Sequence, residues 1–129
     1  YDSFNLKGNA VENAPQDILR AGIGYQWASK NHPQRKFIVQ CQFSHVSGCY
    51  SDANNTLAAS SNGVTGFIPA YSVWDINSSY TVSKNVSFKL SVNNLTNEKY
   101  FTRRAGGYPG PGLMPSDGRS ILASIGITL

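Results

Sequence analysis

Arg103 and Arg104 stand side by side in the chain, with Tyr100 and Phe101 before them and Tyr108 just after, inside the stretch YFTRRAGGYPGPGLMPSDGRS. Two guanidinium groups beside aromatic rings suit an anionic ligand, because the planar fork of Arg pairs with carboxylate oxygens in a bidentate way. On these residues alone, a solvated surface pair is the competing reading. Residues 100–120 hold five glycines and three prolines, which predicts a long loop with no helix and no long strand. Arg103, Arg104, Tyr100 and Tyr108 are the candidate ligand-binding residues.

Other chemistry is harder to build from this chain. The Gly/Pro run from Gly106 to Gly112 lacks the Lys-Ser/Thr ending and the following helix of a phosphate loop. His32 and His45 fall on an expected turn and an expected strand end, with no carboxylate or third His converging on them, so no metal site and no cofactor are expected. No nucleophile–base pair stands out, and an enzyme is not expected. Cys41 and Cys49 would lie about 26 Å apart on one extended strand. A disulfide needs Cα atoms within about 7 Å, so the expectation is two free thiols unless the chain folds back at Ser47-Gly48.

Composition narrows the class. Only 14% of the 129 residues are charged while 40% are hydrophobic, below the roughly 25% charged of ordinary soluble domains. Asn, Ser and Gly supply the polarity instead, which fits β architecture with polar, uncharged faces. The net charge is +4, but its Lys and Arg are scattered along the chain rather than gathered in a stripe, so nucleic acid is not an expected partner. No apolar run approaches the ~18–20 residues of a membrane-crossing helix. The chain begins at Tyr1 rather than Met, which reads as a fragment or a processed chain.

The elements that must hold the basic loop are written in alternation. Val86, Phe88, Leu90 and Val92 are apolar while Ser87, Lys89, Ser91 and Asn93 between them are polar, the period of a strand with two unlike faces. Leu19 to Trp27 repeats the pattern, as do Phe37 to Phe43 and Ile121 to Leu129, whose opposite faces also carry Ile38 and Leu122, and Trp74 to Val82 with Ser78 as the exception on its apolar face. Five strands of roughly nine to eleven residues follow, longer than the five to six usual in soluble sheets and right for a tilted membrane crossing. Arg20, Lys36, Asp75 and Lys89 all fall on the polar faces. Short links (28–35 and 83–85) alternate with long ones (50–69 and 96–118), the rhythm of an outer-membrane barrel with short turns at one end and long loops at the other. A secreted soluble all-β binding module is the alternative, since a sandwich also puts its charges opposite its core.

The run LSVNNLTNEKYF, from Leu90 to Phe101, resembles the Asn-Asn-Leu segment near the end of TonB-dependent outer-membrane receptors. The pieces Tyr-Pro-Gly-Pro-Gly (108–112) and Pro-Ser-Asp-Gly-Arg-Ser (115–120) resemble the iron(III) dicitrate transporter branch, and Ile68-Pro69-Ala70-Tyr71, Asp75 and the region of Asp52-Ala53-Asn54 also fit. The resemblance covers nearly the whole chain. It implies the C-terminal part of a roughly 22-stranded plugged barrel, with residues 1–129 forming an antiparallel meander of five to six strands. Tyr1 to about Leu6 would be the end of a preceding strand, and Asp117-Gly118 the last turn of a surface loop. The plug and the earlier strands lie outside the sequence in hand. The implied activity is energy-coupled uptake of a ferric chelate, ferric citrate or another siderophore, at the bacterial outer membrane. The implied partners are that ligand, outer-membrane lipid, the barrel-assembly machinery, and TonB through the plug. Family members usually end in an aromatic residue, where this chain has Leu129.

Overall fold

Five long strands order themselves in one sheet. The computed structural model describes residues 5–108 and 110–128. Its elements are β1 (Ile18–Ala28), β2 (Lys36–Val46), β3 (Cys49–Tyr50), β4 (Phe67–Ile68), β5 (Tyr71–Thr81), β6 (Val86–Asn93), β7 (Phe101–Ala105), β8 (Gly112–Pro115) and β9 (Ser120–Ile127). The main sheet runs β1-β2-β5-β6-β9, so its members are neighbours in chain order, while β3 pairs with β4 and β7 with β8. The five strands expected from alternation are these five, eleven, eleven, eleven, eight and eight residues long.

The register explains why the alternation matters. Ile76, Ser78 and Tyr80 of β5 face Val92, Leu90 and Phe88 of β6, and those three face Ile121, Ala123 and Ile125 of β9. Apart from Ser78, apolar residues therefore meet apolar ones across three strands, and a slip by one residue would turn each set to the other side. On the opposite face Lys89 lies between Ser79 and Ser124, and Ser91 has Asn77 on one side. A Cβ built on Gly24 of β1 would lie 3.3 Å from Cγ of Gln40, and one on Gly22 would lie 3.6 Å from Cγ of Gln42. These glycines let the long glutamines of β2 lie across β1.

Very little of this sheet is buried. Among the described residues, Cys49, Ile68 and Val73 are the buried apolar ones, and every residue of β1 and β9 is exposed. Ile23, Tyr25, Phe88, Leu90, Ile125 and Ile127 stand exposed on the apolar face. A soluble sandwich needs a second layer to cover such a face. Among the described residues all five long strands belong to one sheet, so the soluble-module alternative finds no support. Most of the strand expected over residues 1 to about 6 lies outside the described residues, and Asn5 and Leu6 belong to no strand.

The chain divides into two compact units, each described by itself. One gathers 19–44, 72–98 and 118–129, which is most of the sheet, and the other gathers 1–18, 45–71 and 99–117. The short links are tight: Ser29 N–H donates to Arg35 O at 3.0 Å, and Val82 N–H to Val86 O at 3.0 Å. Both thiols are free, with Cys49 buried in β3.

Candidate functional site

The stretch expected to be plain loop contains a short hairpin. β7 and β8 pair antiparallel, Arg103 against Met114, Arg104 against Leu113 and Ala105 against Gly112. Tyr108 sits in the connection between them and is fully exposed. Between Phe101 and Arg103 the register shifts, so two steps along β7 answer one step from Pro115 to Met114 on β8. Such a bulge inserts one residue and reverses the side-chain phase beyond it. Phe101 and Arg104 therefore share a face, and Arg103 takes the other. Glycines, prolines and a bulge erase period-2 alternation, and that is why the hairpin is not legible in the sequence.

The two arginines consequently have different surroundings. Arg104 Nη1 donates to Gly63 O at 3.0 Å and Nη2 to Phe67 O at 3.1 Å. Its Cζ lies 5.1 Å from the centre of the Phe101 ring, within cation–π range. Its Nε is buried with no partner among the described residues. Arg103 is exposed. Tyr100 is half-buried, its ring stacked on Tyr71 at 4.1 Å and 18°. The four candidates thus divide into an exposed pair, Arg103 and Tyr108, and a packed pair, Arg104 and Tyr100. Nothing local in the sequence marks Tyr71, Gly63 or Phe67 as their partners, because those contacts span about thirty to forty residues.

Arg104 grips a segment that is already shaped. Ser60 N–H donates to Thr65 O at 3.1 Å, Gly63 N–H to Ser60 O at 2.9 Å, and Thr65 N–H to Ser60 Oγ at 3.0 Å. Gly66 N–H reaches Ser51 Oγ at 3.0 Å. Upstream, Asp52 accepts from Thr56 N–H and Oγ–H at 3.2 and 2.8 Å, while Asn55 exchanges two bonds with the backbone of Ala10 at 2.7 and 2.9 Å. Polar side chains replace a sheet ladder here, as they must in a segment with so little strand.

The Asn-Asn-Leu run has a structural task within the sheet unit. Asn94 is buried, with φ of 51°. Its Oδ1 accepts from Glu98 N–H at 2.8 Å and its Nδ2 donates to Glu98 O at 2.9 Å. Its own N–H donates to Asp75 Oδ1 at 2.8 Å, and Leu95 N–H donates to Trp74 O at 2.7 Å. Asn97 Oδ1 accepts from Arg119 N–H at 3.0 Å. The turn expected at Asp117-Gly118 is not formed: residues 116–119 carry no turn, and it is Asn97 that holds the entry to β9. Among the described residues no three of His, Cys, Asp and Glu gather as a metal site would require.

A one-sheet wall with an apolar face, a polar face and polar-knotted loops is the architecture of a membrane β-barrel segment. Residues 1–95 match the family model described as TonB dependent receptor-like, β-barrel. The probable TonB-dependent siderophore receptor PiuA of Acinetobacter baumannii is 33% identical over 124 residues, 96% of this chain and 14% of that protein. The chain belongs to the TonB-dependent receptor β-barrel family, a family of receptors rather than enzymes. The fold agrees with two crystal structures in particular. The ferric citrate transporter FecA in unliganded form matches with a TM-score of 0.75 and 22% identity, over 94% of this chain and 17% of that one. PiuA from Acinetobacter baumannii matches with a TM-score of 0.70 and 26% identity, over 95% and 15%. The chain spans about a seventh of the length of its curated relative.

Proposed function

We propose that this chain supplies wall strands and surface loops to an outer-membrane receptor for energy-coupled uptake of a ferric chelate. The observation that carries the reading is the 33% identity, over 96% of this chain, to a protein described as a probable TonB-dependent siderophore receptor. The apolar face of the sheet meets lipid, and the polar face of Arg20, Gln40, Gln42 and Lys89 turns inward. Within the receptor the chain is the C-terminal part of a larger barrel, and the plug that meets TonB lies outside it. The barrel-assembly machinery inserts the whole.

Arg103, exposed on β7, attracts the anionic chelate, and Tyr108 at the hairpin tip offers it an aromatic edge. Arg104 and Tyr100, packed against Gly63, Phe67 and Tyr71, support the hairpin that carries them. Ferric citrate is the leading ligand because its citrate carboxylates suit a guanidinium, and residues 108–120 resemble the dicitrate branch; a catecholate siderophore is the comparison. In the complete receptor, Arg103→Ala should weaken ferric citrate binding about tenfold, the loss of one charge-assisted contact, read by quenching of intrinsic fluorescence. Unchanged binding would remove Arg103 from the site. Tighter binding of the catecholate by the unaltered receptor would move the ligand class.

A further inference from the structure

We infer that Arg104 is a positioning residue rather than a ligand contact: it latches residues 60–67 of the long connection after β2 onto hairpin β7–β8, and so fixes where Arg103 and Tyr108 stand. The role in uptake rests on the function proposed above; the latch itself does not.

Three observations carry it. First, the bulge turns Arg104 to the face of Phe101 and away from that of Arg103; a regular strand would pair Phe101 with Arg103 instead. Second, both η nitrogens are engaged by carbonyls four residues apart in chain, Gly63 O and Phe67 O, on a segment preformed around Ser60. A guanidinium meets two such acceptors in one plane, whereas the single ammonium of Lys cannot hold that fork. Its buried Nε shows that the group faces protein. Third, backbone meets backbone where the latch closes. Gly63 has φ of +74°, and a Cβ built on it would lie 3.3 Å from Gly112 Cα. A Cβ on Gly106 would lie 3.3 Å from Val64 Cγ1.

The last contact supplies a covalent substitute for the latch. In Val64→Cys with Gly106→Cys, a Sγ placed where Val64 Cγ1 now stands would lie 3.3 Å from the new Cβ at 106, close enough for a disulfide to be attempted across the latch. The test uses the complete receptor with Cys41→Ser and Cys49→Ala, carrying Arg104→Ala, Arg104→Lys or Arg103→Lys, and then Arg104→Ala with the oxidised 64–106 pair. Two readouts are taken: hydrogen exchange of amides 60–67 without ligand, and affinity for ferric citrate. The latch predicts that Arg104→Lys behaves like Arg104→Ala, each raising exchange and weakening binding about tenfold. Arg103→Lys leaves exchange unchanged. The cross-link restores both exchange protection and affinity to the Arg104→Ala variant. Wild-type binding by Arg104→Lys overturns the proposal, as does an oxidised cross-link that restores protection without affinity, for then Arg104 touches the ligand. Unchanged exchange in Arg104→Ala overturns it as well. If ferric citrate binds no form of the receptor, the proposed ligand fails, and the exchange data still decide the latch.

Discussion

Asn94 shows how a residue can mark a family in sequence yet work entirely in structure. Its side chain closes the turn after β6 by bonding both backbone groups of Glu98, in a left-handed conformation with φ of 51°. Two part-buried hydrogen bonds and that conformation, which Asn tolerates better than Ala, set the cost of replacing it. Asn94→Ala should destabilise by about 3 kcal/mol, and Asn94→Gly by about 1 kcal/mol less because glycine accepts positive φ freely. Thermal unfolding of the receptor in detergent reads both; equal losses would refute the conformational part, and no loss would refute the turn itself. The sequence displayed the motif but not its partners, since Asp75 approaches from a different strand. Cys49 lies outside the long strands, and burial pushes its thiol above the ordinary range by disfavouring the thiolate. A raised thiol pKa means fewer thiolates at neutral pH, and only the thiolate is alkylated. The pH–rate profile for alkylation of Cys49 should therefore lie to higher pH in the folded receptor than in urea. A profile at the same or lower pH would contradict the burial.

At the scale of elements, each long strand declared itself because its two faces meet different surroundings, and period 2 is the direct trace of that. β6 is the clearest case: Leu90 lies between Ser78 and Ala123 on the apolar face, while its neighbour Ser91 faces Asn77 on the polar one. The short hairpin β7–β8 was not legible, because its bulge and glycines break the period that reveals a strand. The same bulge separates the environments of two adjacent arginines that sequence treats as equals. If the apolar face meets lipid, a charge at Leu90 costs about 2–4 kcal/mol near the midplane, while the same charge one residue along costs little. Leu90→Arg should lose the folded, heat-modifiable form on gels, and Ser91→Arg should keep it. Equal tolerance of both would mean the face does not meet lipid.

For the whole molecule, what is scarce is burial. Three apolar side chains are buried among the described residues, and exposed apolar ones line a face of the sheet. Among the described residues β1 and β9 end the sheet, each hydrogen-bonded to one neighbour, β2 and β6 respectively. A sheet edge carries unpaired N–H and C=O groups that lipid cannot satisfy, so a membrane sheet must close. In water the same edges and the uncovered apolar face invite association. The 129-residue polypeptide by itself is thus expected to fail in both solvents for different reasons. Produced alone, it should aggregate in detergent-free buffer and give no cooperative urea transition by tryptophan fluorescence. Joined to the strands that close its edges, it should resist SDS at room temperature as a folded barrel. A monomeric isolated chain with a single sharp unfolding transition in plain buffer would be incompatible with a lipid-facing wall. It would mean that the apolar face finds cover within the chain itself, and the soluble binding module would become the better account of the alternating strands.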